Sequence, residues 1–594
     1  MLVKGKVSKL AKFEIGKDCF TLNGEKIQLV SGAMHYFRIV PEYWKDRLQK
    51  LKELGCNCVE TYLAWNLHEK QEGNFVCDGW LDFGKYLQEA QEQGLYAIVR
   101  PGPFICSECD FGGLPWWLLR YDGIELRTYN HIYLEKVEKY IDEVCEILRP
   151  HLITNGGNVV LIQIENEFGS YGCDQRYLKT LQGFYEKNGI DVPFITSDGD
   201  TDVMLTNGTL PGVSASVNYR WDSISALRFL KKYRPDQPGA VMELWNGAAI
   251  HCGKKVTPRD LKEVGYSVKT ALENASLVNL YMFHGGTNFG FFNGSLYFDG
   301  KFTVQATSYD VQAPLNEYGR KTEKYYAEQK IICGHSGKKI VNATPEPVLT
   351  DYGEAHFKTV AALGKPEKSL RSEKLMSMEE CGQGYGYIEY RARFVTGRYG
   401  AVLLYPEIRD VAQVYVDGKY FTTVKRDLAV RDDLDIPAGE HEIRFFVENA
   451  GRIHFGPHLK DKKGLLGEAV IFDKESQKYS VLKNWEIGCH PFENICIGTG
   501  APAENEPGLY LFEIELDPKG DTYLETPGFY RGVVFLNGFN LGRYSAEGPQ
   551  KSLYIPKPLL RKGRNEFVIF DMRTDAAERK AVLSGKQILE GYTD

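Results

Sequence analysis

The sequence predicts an N-terminal (β/α)8 TIM barrel followed by two all-β sandwich domains. Three observations carry this expectation. From about Ile27 to Tyr326, short apolar, β-branched runs alternate with longer helical patterns joined by short links, the pattern of parallel βαβ units. Sustained that far, the alternation fits one closed barrel with insertions. After Tyr326 helical periodicity fades and strand-like alternation dominates. Within that second half, a hairpin followed by a similar strand occurs twice, which suggests two related antiparallel sandwiches.

Taken in order, residues 27–32 read as a strand ending in a glycine. Residues 42–54 put Trp44, Leu48, Leu51 and Leu54 at helical spacing, with Gly55 as the C-cap. Cys58–Tyr62 is the next strand, 81–93 a helix closed by a glycine, Tyr96–Arg100 a strand and His131–Leu148 a long helix. In the second half, 414–421 reads as strand, Asp-Gly turn and strand, and 533–544 repeats the design with Asn-Gly. The similar strands that follow are 439–447 and 563–570. The expected domains are 1–335, 336–485 and 486–594.

A chain of 594 residues is too long for one hydrophobic core, so two to four domains are expected. Apolar and charged fractions of 43% and 25% are those of an ordinary soluble protein. The net charge of −7 and pI near 6.0 give no bias toward nucleic acid or an anionic membrane. Residues 1–17 lack an apolar region before a small-residue cleavage site, and no 18-residue apolar run occurs, so neither a signal peptide nor a membrane span is expected. Thirteen cysteines, an odd count, then read as reduced thiols of a cytoplasmic protein. Cys106 and Cys109 form a C-x-x-C without a second pair at zinc-ribbon spacing, so no structural zinc is expected. The aromatic fraction of 13% suits large β-rich cores and, more sharply, platforms for stacking sugar rings.

The chemistry rests on two glutamates. Glu167 and Glu243 each stand just past a short apolar run, Val159–Ile164 and Ala240–Met242. The C-terminal mouth of a buried parallel strand is where a barrel keeps its catalytic groups. Two carboxyls there suit cleavage of a glycosidic bond: one protonates the leaving oxygen and the other attacks the anomeric carbon. Glu165 would share a face with Glu167 in a strand and is the alternative acid. Asn166 between them is suited to the sugar 2-hydroxyl. The competing explanation makes both glutamates ion-paired barrel residues. Glu60 and Glu108 occupy similar places, and Arg100 is either the partner of a catalytic carboxylate or a buried structural arginine. Other chemistries fit poorly. There is no G-x-S-x-G elbow, and His68-Glu69 lacks the second histidine of H-E-x-x-H. The glycines at 334–337 have the wrong spacing for a P-loop, and those at 382–386 lie in the β-rich half, away from any dinucleotide fold. His35, His68, His251 and His284 form no helical metal pair and are expected to be hydrogen-bonded barrel residues.

Several blocks resemble the glycoside hydrolase family 35 β-galactosidases: SGAMHYFR at 31–38, YWKDRL at 43–48, WNLHE at 65–69, RPGPFIC at 100–106, DFGGLP at 110–115, QIENEFG at 163–169, FHGGTNFG at 283–290 and TSYD at 307–310. NLGRY at 540–544 and GPQ at 548–550 resemble that family's C-terminal jelly roll. The resemblance implies a retaining exo-enzyme that releases terminal β-galactose without a metal or other cofactor, with Glu167 as acid/base and Glu243 as nucleophile. It implies that Asn166 meets the 2-hydroxyl, that Tyr62, Cys106, Ser107 and Glu108 line the galactose hydroxyls, and that Tyr281 contacts the nucleophile. Trp245 and Val311 belong to the same pocket. By analogy, a homodimer is expected.

The chain departs from the family pattern in three places. Where the family usually has tyrosine after TSYD, this chain has Val311, which cannot hydrogen-bond the sugar near its 6-hydroxyl; a lost buried partner costs about 1–3 kcal/mol. Ala248 and Cys252 stand where the family tends to have tryptophans, which opens the pocket wall. Ser107 replaces a common alanine, and residues 65–70 lack the usual Phe and Pro. An altered glycon (α-L-arabinopyranoside, β-glucoside or β-glucosaminide) and transfer to a sugar acceptor are therefore alternatives, and a non-catalytic sugar-binding protein is the alternative outside enzymes.

Overall fold

The computed structural model describes residues 11–426, 428, 430–575 and 578–590. Of the segment on which the leader expectation rests, residues 1–10 lie outside the described residues. A three-stranded meander, Phe13–Ile15, Phe20–Leu22 and Glu25–Ile27, precedes the barrel.

The barrel strands are β1 (Leu29–Met34), β2 (Cys58–Tyr62), β3 (Tyr96–Arg100), β4 (Val159–Gln163), β5 (Phe194–Gly199), β6 (Ser214–Tyr219), β7 (Ala240–Trp245) and β8 (Leu277–His284). They close in sequence order, with β8 hydrogen-bonded to β1, and every pairing is parallel. Strands buried on both faces read as continuous apolar runs, and β1, β2, β4 and β8 are buried at every residue. The surrounding helices are α1 (Trp44–Leu54), α2 (Phe83–Glu92), α3 (His131–Leu148), α4 (Gln175–Lys187), α5 (Asp202–Gly208), α6 (Ser223–Tyr233), α7 (Leu261–Asn274) and α8 (Glu323–Ser336). All but α1 start at side-chain caps: Asp82 accepts from Lys85 N at 2.8 Å and Asn130 from Tyr133 N at 3.1 Å. Gly55 ends α1 at φ 109°, the left-handed geometry expected of a glycine cap.

One strand differs from its expectation. The run at 27–32 does not end at Gly32; β1 continues to Met34 and holds Gly32 in its interior. A Cβ there would lie 2.6 Å from Cβ of Phe283 and 2.7 Å from Cδ1 of Leu51. The glycine marks a close approach of β1, β8 and α1, not a turn.

Beyond the barrel, the first sandwich packs a six-stranded sheet on a four-stranded one. The larger runs Lys368–Ser372, Trp485–His490, Tyr387–Thr396, Gly439–Glu448, Val411–Val416, Lys419–Lys425; the smaller runs Arg431–Leu434, Ala401–Leu404, Val470–Asp473, Lys478–Val481. The last domain has a four-stranded and a five-stranded sheet. Both predicted hairpins form. Asp417 and Gly418 have φ of 50° and 73°, Asn537 and Gly538 have 52° and 85°, the paired positive φ a tight hairpin turn needs. In each domain the later strand (Gly439–Glu448, Gly563–Asp571) pairs with the first strand of the hairpin, so the echo in sequence is an echo in topology.

Strand pairing does not follow linear cuts at 336 and 486. Gly353–Ala355 and Thr359–Ala362 are hydrogen-bonded into the two sheets of the last domain, and Trp485–His490 belongs to the first sandwich. The last domain is thus built from two chain segments that flank the first sandwich. The domains meet through buried polar contacts: Thr307 donates to Arg543 O at 2.7 Å, Arg543 to Asn449 O at 2.9 Å, and Arg452 pairs with Asp110 at 3.3 Å and with Glu379.

Candidate active site

The site stands at the C-terminal ends of the barrel strands. Tyr62 and Arg100 are the last residues of β2 and β3, and Glu167 lies four residues past the end of β4. Glu243 follows its apolar run, as read from the sequence, but β7 continues through it to Trp245. The register of β7 slips against both neighbours there, between Val241 and Glu243 on one side and Val241 and Leu244 on the other. Such a bulge re-aims a side chain without ending the strand.

Three donors hold the Glu243 carboxylate. Tyr62 gives its hydroxyl to Oε1 at 2.9 Å, Arg100 gives Nη2 to the same oxygen at 2.6 Å, and the Trp245 indole gives to Oε2 at 2.8 Å. With donors on both oxygens, this carboxyl is fixed in orientation. Arg100 is therefore the carboxylate's partner, and its Nη2 also reaches Asn166 Oδ1 at 2.6 Å. With Oδ1 taken, the amide NH2 of Asn166 is the end left to give to a ligand.

Glu167 has the opposite environment. It is 9% exposed and receives one hydrogen bond, from Asn218 Nδ2 at 3.2 Å. Burial, and next the charge of Glu243, push its carboxyl up to about 8. Asn218 on β6 is also the register partner of Glu243. A residue side by side with Glu243 thus touches Glu167, and the two glutamates converge. Asn218 was missed in the sequence, although it shares their signal: a polar residue near the end of a buried parallel strand.

Glu165 does not share a face with Glu167. β4 ends at Gln163, and residues 165 and 167 both take positive φ, 61° and 46°, so strand alternation does not apply. Glu165 is instead buried against Arg127 at 2.8 Å and the Tyr177 hydroxyl at 2.6 Å. It is the ion-paired barrel residue that the competing explanation proposed for both glutamates.

The rest of the expected pocket assembles around Cys106, Ser107 and Glu108, consecutive residues at φ 55°, 51° and 50°. Glu108 accepts from the Tyr309 hydroxyl, and burial raises its carboxyl above the usual range. Ser107 Oγ accepts from Arg38 at 2.7 Å, and Cys106 Sγ lies 3.4 Å from His454 Nδ1, a contact supplied by the first sandwich. Tyr281 does not hydrogen-bond the nucleophile candidate; its hydroxyl lies 3.4 Å from that of Tyr309, and Tyr62 is the phenol on Glu243. Trp245, read as a sugar contact, spends its indole N–H on Glu243. Val311 is 5% exposed within the apolar core of the barrel, and its carbonyl accepts from Ala248 N at 3.1 Å. His35 and His68 bond within the barrel, His35 to Arg38 and His68 to the carbonyl of Val76 at 2.7 Å.

A parallel barrel that carries one anchored carboxyl and one buried carboxyl with a single hydrogen bond at its C-terminal rim is the arrangement of a glycosidase. Comparison with known proteins agrees. Glycosyl hydrolases family 35 matches residues 19–334, the first all-beta domain of beta-galactosidase matches 376–490 and the galactose-binding domain of beta-galactosidase matches 507–565. A beta-galactosidase from Xanthomonas manihotis is 37% identical over 90% of this chain and 90% of its own length. The human beta-galactosidase-1-like protein 3 is 36% identical over 95% and 88%, and beta-galactosidase 17 of Arabidopsis thaliana 32% over 96% and 88%. The chain belongs to glycoside hydrolase family 35, and it is a glycosidase.

Proposed function

We propose that this enzyme releases terminal β-D-galactose from the non-reducing end of β-galactosides by a retaining double displacement. One observation carries the reading: two converging carboxyls stand in opposite surroundings, Glu243 under three donors and Glu167 buried with one. Glu243, fixed by Arg100, Tyr62 and Trp245, attacks C1. Glu167, whose proton is retained to about pH 8, protonates the departing oxygen and then, as the carboxylate, deprotonates the water that releases the sugar. Asn166 offers its NH2 to the 2-hydroxyl, where contacts strengthen as positive charge grows at C1. Glu108, Ser107 and Cys106 line the remaining hydroxyls. Thirteen cysteines with free thiols favour a reducing, cytoplasmic setting.

Val311 favours a second reading of the glycon. A buried isopropyl group gives no hydrogen bond to a 6-hydroxyl, so α-L-arabinopyranosides, which keep galactose stereochemistry and lack C6, are the leading alternative; β-glucosides, β-glucosaminides and transfer to a sugar acceptor follow. A panel of nitrophenyl glycosides separates them. The galactoside should exceed the arabinopyranoside and glucoside in kcat/KM by more than about tenfold, a difference of about 1.4 kcal/mol. Equal or inverted rates would reassign the sugar. Proton NMR of the first-formed product should show the β-anomer; the α-anomer would contradict retention.

A further inference from the structure

Beside the nucleophile lies a third carboxyl that the double displacement does not use. Glu60 in β2 is fully buried, and its Oε1 stands 3.7 Å from Nη1 of Arg100. Neither that oxygen nor that nitrogen has a hydrogen-bond partner among the described residues. The other terminal nitrogen, Nη2, carries the bonds to Glu243 and Asn166. One guanidinium therefore stands between two carboxyls. Asn279 on β8 bridges the same two neighbourhoods: its Nδ2 donates to Met242 O at 2.8 Å and reaches Glu60 Oε2 at 3.4 Å. The titratable groups facing Glu60 are Cys58 and Tyr62 on its own strand, Tyr86 on α2, Arg100 on β3 and Glu243 on β7.

We propose that Glu60 is a positioning residue for the nucleophile: it holds Arg100 from the side away from Glu243 and withholds part of the guanidinium's pull. The assignment rests on Glu243 as nucleophile. A nucleophilic carboxylate must be ionised, yet every increment of ground-state stabilisation by Arg100 that is lost as charge leaves for C1 raises the barrier. A second anion on the same cation limits that over-stabilisation. Burial raises the Glu60 carboxyl, Arg100 lowers it and Glu243 raises it again, to about 7, so its charge changes near neutral pH.

The test is the pH profile of kcat/KM for full-length Glu60→Gln. Below about pH 6 the Glu60 carboxyl is already neutral and glutamine copies it; above about pH 7 only the parent carries a second anion on Arg100. The ratio of variant to parent kcat/KM should therefore stay near one at about pH 5 to 6 and fall at least about threefold by pH 8. A merely structural role lowers the ratio by one factor at every pH; that result, or a ratio of one throughout, overturns the proposal. If Glu60→Gln does not fold, Glu60→Asp draws the carboxyl back by one methylene and should lower the ratio above about pH 7 by less; a ratio that does not change with pH is then the overturning result. Turnover that survives Glu243→Gln defeats the parent assignment, whereas a pH-independent ratio in the Glu60 variants defeats this proposal alone.

Discussion

Residues of one type divide by what surrounds them. Glu243 meets an arginine, a phenol and an indole; Glu167 meets one amide and a neighbouring negative charge. The second environment disfavours ionisation, so Glu167 keeps its proton from its ordinary 4.5 up to about 8. An acid catalyst works only while protonated. The kcat/KM profile should therefore fall above about pH 8, with a limb absent from Glu167→Gln assayed on a substrate whose leaving group needs no proton. Stability carries the same sign. Between 4.5 and about 8 the folded state binds a proton that the unfolded chain has lost, so this group lowers stability as pH rises. Glu167→Gln removes that loss and should melt no lower than the parent at pH 9. The placement of Glu167 and Glu243 at the C-terminal rim was legible in the sequence because each follows an apolar run. The separate fate of Glu165 was not, because it depends on Arg127 and Tyr177, which only the fold brings to it.

At the level of elements, local patterns were sufficient where the chain's own neighbours decide the outcome. β2, β3 and α3 fall on the residues expected, since each is bounded by its own caps and links. The two hairpins form because Asp-Gly and Asn-Gly supply the positive φ that a tight turn requires. Patterns failed where distant segments decide. Gly32 reads as a strand end but is a contact with Phe283 and Leu51. Gly32→Ala should therefore cost about 1–3 kcal/mol of stability by overpacking, measured as the denaturant midpoint at unchanged slope; a neutral substitution would show that β1 and β8 can move apart. The bulge at Glu243 is likewise invisible in sequence, since it is a mismatch between β7 and its two neighbours.

At the scale of the molecule, the barrel is tied to the first sandwich by buried charge, and the two sandwiches share an apolar cluster that includes Tyr387, Phe446, Val533 and Phe570. Arg452 from the first sandwich lies between Asp110, on the loop that carries Glu108, and Glu379. The contact links the barrel's pocket loop to the next domain, as does Cys106 with His454. Arg452→Ala leaves two buried carboxylates unpaired, a loss of about 3–5 kcal/mol. The melting temperature should fall, and activity should fall with it below the melting transition; loss of stability with untouched kcat/KM would detach the sandwich from the pocket. The segmental last domain, with Gly353–Ala355 and Thr359–Ala362 joining strands from beyond residue 500, escaped the sequence because short edge strands carry little pattern of their own.

All of this depends on Glu243 attacking the sugar. The most direct measurement is turnover of an activated aryl galactoside by Glu243→Gln, with the melting temperature recorded alongside. A folded variant whose kcat falls by at least about 10⁴-fold is the expected result. A folded variant that turns over within tenfold of the parent would contradict the mechanism.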